Sequence, residues 1–263
     1  MRTSKIFTFI VLTAPLAAGA ASDDLTIVSS NSQNGKPTGT STSYLASDHV
    51  RMARAEGNET IVDVKTGTMT TLDGKKKTYY TTTKQDLEQL KAKMQERMNS
   101  PEMKKGMEMM QKMAGAMASS YEVKKTGISR KIAGYDCDEW TISMGAMSTT
   151  RECVTGGLQY PAHAFDAYKE LAQSMQGAMS SGSPMGKAGG DLAEKLRGIK
   201  GFPVATSSVI DIMGNKTVTE SEVIEVRRRA IAASAWEVPA GYKQVENPML
   251  KMLDRRSHAS PTG

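Results

Sequence analysis

Aromatic residues are scarce in this chain: four Phe, two Trp and eight Tyr make up 5% of its 263 residues. Histidine is scarcer still. His49, His163 and His258 lie too far apart in sequence to suggest a metal site built on imidazoles. No segment reaches the roughly 20 apolar residues that span a bilayer, which excludes a polytopic helical membrane protein. A C-x-x-C pair is missing, as are a glycine-rich phosphate loop and any serine or cysteine nucleophile in a recognisable motif with histidine. These gaps leave no catalytic constellation, so the expectation is a protein that is not an enzyme and takes no cofactor. Hydrophobic residues at 39% and charged residues at 24% are ordinary for a globular chain.

The first 21 residues read as a secretory leader. Arg2 and Lys5 precede the apolar run Ile6 to Leu12, and Ala14 to Ala21 supplies small residues for cleavage near Ala20 or Ala21. The run is too short to stay in a membrane as an anchor. No cysteine stands at the cleavage site, which removes a lipid-anchored form. Losing Arg2 and Lys5 lowers the formal charge from +6 to +4, too little to argue for nucleic acid. The mature product is expected in the periplasm or outside the cell.

The two cysteines fit that compartment. Cys137 and Cys153 flank two strand-like runs, Asp138 to Ser143 and Ser148 to Glu152. In a hairpin centred on Gly145 they face each other, in reach of a disulfide. A bridge closing about 15 residues contributes roughly 3 kcal/mol through the unfolded chain.

Along the rest of the chain, short alternating runs are punctuated by Gly57-Asn58, Lys65-Thr66-Gly67 and Asp73-Gly74, the pattern of an antiparallel meander. The first strand is read as Leu25 to Ser29, with Asn31 to Gly39 as a turn-rich break. Thr83 and Asp86 then form a capping box. Leu87, Leu90, Met94 and Met98 follow at helical spacing, and a second helix begins at Ser100-Pro101. Strands return over Tyr121 to Ile132. A further amphipathic helix carries Phe165, Tyr168, Leu171, Met175 and Met179. A last hairpin turns at Gly214-Asn215, with Val218, Ile224 and Val226 on its buried face and Arg227-Arg228-Arg229 on a solvated edge. Trp236 to Val238 reads as a final short strand. The expected fold is α+β: one curved antiparallel β-sheet, an incomplete barrel, with helical insertions at about 83–119 and 163–199 over its concave face. Residues 22–250 form its single domain, and 251–263 a polar tail.

Methionine is what the chain has in excess, 19 in all, eight of them at 94, 98, 103, 107, 109, 110, 113 and 117. Three roles compete for this stripe. Unbranched thioethers fill irregular core space. They also make an adaptable cover over an apolar ligand, with Leu87, Leu90, Met94, Met98, Met103, Met107, Met110 and Met117 joined by Phe165, Leu171, Met175 and Met179. Finally, Met103, Met107 and Met110 share a helical face that could hold Cu(I) through soft ligands.

Several phrases together carry a family resemblance: Ser43-Tyr44 with Asp48 to Met52, Gly67 to Asp73 before Lys77 to Tyr80, Lys131 to Cys137, Gly201 to Val204, and Trp236 to Tyr242. The chain resembles the exported bacterial family known as domain of unknown function 4412, itself similar to the periplasmic lipoprotein carriers (LolA/LolB-like). The resemblance implies a half-barrel whose sheet and helices enclose a space for acyl chains. It implies an apolar ligand such as a lipid or a lipoprotein segment. The alternatives are a Cu(I)-binding protein and an envelope interaction module with no small ligand.

Overall fold

A computed structural model of the chain describes residues 23–98, 121–145, 147–161, 195–196, 198–212 and 214–251. The first meander consists of β1 (Leu25–Gln33), β2 (Lys36–Leu45), β3 (His49–Ala53), β4 (Asn58–Asp63), β5 (Thr68–Asp73) and β6 (Thr78–Thr82). Helix α1 (Lys84–Met98) follows. The second meander is β7 (Tyr121–Ile132), β8 (Tyr135–Met144), β9 (Ser148–Thr155), β10 (Phe202–Ile212) and β11 (Asn215–Arg228), and β12 (Lys243–Gln244) closes the series. All lie in one 12-stranded sheet, ordered β12-β6-β5-β4-β3-β2-β1-β11-β10-β9-β8-β7. The two meanders meet where β1 lies antiparallel to β11. β7 nevertheless comes back into contact with β11, so the second meander curls tightly on itself. Among the described residues the sheet is open, with β7 and β12 as its edges.

Turn chemistry sets the hairpins. Asn34 and Gly35 have φ of 51° and 74°, and Ala133 and Gly134 have 48° and 88°. Two successive positive φ values make the type I′ turns whose twist suits a two-residue hairpin. The stretch read as a break at Asn31 to Gly39 is therefore the tip of the β1–β2 hairpin, and β1 runs on to Gln33. The capping box is present as expected: Asp86 Oδ2 accepts from the Thr83 backbone N–H at 2.7 Å, and the Asp86 N–H donates to Thr83 Oγ1 at 3.2 Å. Leu87 and Leu90 are buried on α1.

Four other expectations are corrected. β12 pairs parallel to β6, so the sheet is not wholly antiparallel. Trp236 lies in a 3-10 turn, Ala233–Trp236, its ring stacked on His49 at 5.2 Å. The last strand comes later, at Lys243–Gln244. Arg227 and Arg228 sit on a central strand paired to β1, not on an edge, and Arg227 clasps Glu225 at 2.5 and 2.6 Å. Finally, the register of β1 on β11 skips Ile224. This bulge breaks the alternation, so Val223 is buried at 4% exposure while Ile224 is 54% exposed.

Register also assigns faces. Leu25, Leu45, Val50, Val62 and Met69 pair in one row across β1 to β5. These residues join Ile132, Cys137, Cys153, Phe202, Val204 and Val223 in a single apolar core that links both meanders. On the opposite face of the first meander, Thr26 and Ile61 are also buried. There Arg51 pairs with Glu59 and donates from Nη1 to the Ala235 carbonyl at 2.6 Å, so the 3-10 turn lies over this face.

Candidate functional site

The disulfide forms, but not in the expected register. β8 and β9 pair Glu139 with Cys153 and Met144 with Ser148, so the hairpin is centred one residue later than Gly145. The three-residue connection 145–147 is responsible, with the Met147 N–H donating to the Met144 carbonyl at 3.1 Å. Cys137 lies one step beyond the last ladder pair, Asp138 with Val154, and bridges diagonally to Cys153. Sheet twist shortens that diagonal, and the Cα atoms stand 5.3 Å apart. Both cysteines are buried.

The register that carries the bridge also builds a pocket. Glu222, Ala205, Cys153 and Glu139 form one row across β11, β10, β9 and β8. Glu220, Ser207, Arg151 and Thr141 form the next row on the same face. Arg130 on β7 pairs with Cys137, which places it on that face as well. Because β7 curls back to β11, these rows become walls rather than a flat surface. They border a pocket of about 510 Å³, open to solvent on one side and completed by Ser30 and Ser32 of β1. Two guanidiniums and three carboxylates line it.

Within the pocket Glu139 is buried at 9% exposure. Among the described residues no hydrogen bond or ion pair reaches its carboxylate; only its backbone carbonyl is engaged, by Thr126 Oγ1 at 3.2 Å. Arg130 and Arg151 stand diagonally across from it, beyond ion-pair distance. Glu220 accepts from Ser32 Oγ at 2.9 Å. On the other face of the same hairpin, burial pushes the Glu152 carboxyl up from its ordinary range.

A second polar cluster lies on the first meander. His49 Nδ1 and Asp48 Oδ1 are 2.9 Å apart, and Lys65 Nζ donates to Asp48 Oδ2 at 2.9 Å. These two hydrogen bonds lower the Asp48 pKa to about 2. The cluster braces the stack of His49 on Trp236 and is fully paired.

Of the residues expected to cover an apolar ligand, Leu87 and Leu90 are in place and buried. Met94 and Met98 lie within α1, with side chains outside the description. Met103, Met107, Met110, Met117, Phe165, Leu171, Met175 and Met179 fall outside the described residues, and with them the thioether copper site. Among the described residues no group of three His, Cys, Asp or Glu is placed to hold a metal. Sequence reading passed over Arg130, Arg151, Glu220 and Glu222 as ordinary strand charges. Glu139 carried a signal: it shares the parity of Cys137 on β8, and so the face of the disulfide.

The family model described as domain of unknown function (DUF4412) matches residues 27–242. No curated protein matches the chain. Among solved structures, PNGF-II is similar over 89% of this chain and 33% of its own, at 13% identity and a TM-score of 0.39. The chain thus spans about a third of the length of that protein. An uncharacterised conserved protein from Thermus thermophilus is similar over 85% of this chain and 90% of its own, at 7% identity and a TM-score of 0.42. MucB is similar over 84% of this chain and 58% of its own, at 11% identity and a TM-score of 0.38.

Proposed function

We propose that this chain, which belongs to the family of domain of unknown function DUF4412, works as an exported, non-enzymatic binding protein with residues 22–250 as its single domain. The observation that carries this reading is the pocket of about 510 Å³ inside the curl of the second meander. Its size falls within the roughly 300–1,000 Å³ of small-molecule sites. The buried Cys137–Cys153 bridge supports an oxidising compartment, the periplasm or the exterior. The finer form of the reading adds an apolar ligand, an acyl chain or a lipoprotein segment, held between the sheet and the methionine-rich helices. Its support is α1, which turns Leu87 and Leu90 inward at the start of that helical stretch.

Native mass spectrometry of protein purified from its own periplasm, with organic extraction, tests both forms. The expected result is a co-purifying molecule and displacement of a fluorescent fatty-acid probe. Protein recovered empty, and indifferent to the probe, would count against the apolar ligand.

A further inference from the structure

A strand at the rim of a sheet leaves a row of backbone N–H and C=O groups free to pair with another chain. Among the described residues the long strands of this sheet end at β7 on one side and β6 on the other, with only the short β12 beyond β6. The two rims are protected differently. The register of β7 on β8 shifts between Lys125 and Ser129, Gly127 has a φ of 83°, and Lys124, Lys125, Arg130 and Lys131 are exposed along the strand. A bulge and a series of cations both discourage an incoming strand. β6 has neither. Its residues Thr78-Tyr79-Tyr80-Thr81-Thr82 include no charge, glycine or proline, and they pair with β5 without a break in register. Threonine and tyrosine are at home in strands, so β6 left bare would be an adhesive rim.

The C-terminal segment covers it. The outward carbonyls of β6 and the residue before it are taken in turn. The Lys243 N–H donates to the Lys77 carbonyl at 2.9 Å, and the Val245 N–H to the Tyr79 carbonyl at 2.8 Å. Asn247 Nδ2 then donates to Thr82 Oγ1 at 3.0 Å and reaches the Thr81 carbonyl at 3.5 Å. Apolar packing does not explain this attachment. Lys243, Gln244, Val245 and Glu246 are all exposed, and only the polar Asn247 is buried. What the segment supplies is donors for the rim.

The rim also matches itself. Laid antiparallel on the β6 of a second copy and centred on Tyr80, it sets Tyr80 against Tyr80, Thr78 against Thr82 and Tyr79 against Thr81. Aromatic and threonine pairs of this kind are favourable, and no like charges meet. We propose that residues 243–247 are a guard strand, and that what they hold off is the β6 of a second copy of this chain. The assignment depends on neither the pocket nor a ligand.

Sedimentation equilibrium of the full chain and its variants tests it. Val245→Pro with Asn247→Ala removes the N–H that reaches Tyr79 and the amide that holds Thr82, whereas Val245→Ala alone keeps both. The parent and Val245→Ala should share one mass, and the released double variant should show twice that mass as concentration rises. Adding Tyr80→Lys to the double variant should restore the parent mass, because two lysines would face each other across the pair. A double variant that keeps the parent mass overturns the guard. Doubling in Val245→Ala overturns it too, since the donors are then not what matters. Association that persists with Tyr80→Lys overturns β6 as the surface, and association through an unfolded chain would persist in that way.

Discussion

The two meanders solve the same problem differently. In the first, strands of five or six residues (β3 to β6) send Val50, Val62 and Met69 into the apolar core, and the Ala233–Trp236 turn lies over β3 on the other face. Its half-buried charges are matched, Arg51 with Glu59 and Asp48 with His49. In the second, strands of eight to fourteen residues curl on themselves, are stapled by a disulfide, and carry interleaved arginines and glutamates around an open pocket. The contrast is between a half held by short strands and ion pairs and a half held by long strands and a covalent bridge. Ion pairs brace the one, while in the other Glu139 is buried with no donor to its carboxylate among the described residues.

The comparison breaks most severely at the seam. Leu25 on β1 is fully buried in the core shared by both meanders. Leu25→Ala should cost about 2–5 kcal/mol, and chemical denaturation should show both halves losing stability together. Separate transitions for the two halves would show that the seam does not couple them. Next comes the staple. Replacing Cys137 and Cys153 with serine should cost about 3 kcal/mol, and hydrogen exchange should quicken in β8 to β10 while β3 to β5 keep their protection.

A third change probes the paired charges of the scaffold. Arg51→Met leaves the Glu59 carboxylate without its partner in a mostly buried setting. The expected loss is about 1–3 kcal/mol, seen as a lower denaturant midpoint. The smallest effect is pH-dependent. The Asp48 pKa is lowered to about 2 in the folded chain, first by the His49 hydrogen bond and then by Lys65. A depressed carboxyl stabilises the fold above its unfolded value near 3.9, and the contribution fades as pH falls from there toward 2. Asp48→Asn should therefore lower the Tm at pH 6 and match the parent at pH 2, in parallel thermal melts.

Much of the scaffold was legible because local chemistry dictates it. Thr83 with Asp86 opens α1 where the capping box predicts, and the glycine-bearing turns place most of the strands. The cysteine pair was legible as well, although its facing geometry was not. What escaped depends on partners far along the chain. The bulge at Ile224 exists because β1 must fit β11, and nothing within residues 217 to 226 announces it. The same holds for Arg130, Arg151, Glu220 and Glu222. Each is an ordinary polar residue on its own strand, and only the curl brings the four to one pocket. The parallel step of β12 on β6 likewise joins residues that no local pattern relates.

The pairing of β1 with β11 has a consequence for how the chain comes to be folded. Ser30 and Glu222, bonded across that seam, are 192 residues apart. Contacts so distant are made late and slowly, since a long loop must close before they repay its entropy. Each meander can form from its own neighbouring hairpins, but the whole sheet waits for nearly the last strand. Until that long strand arrives the sheet stays in two parts, each held only by its own hairpins.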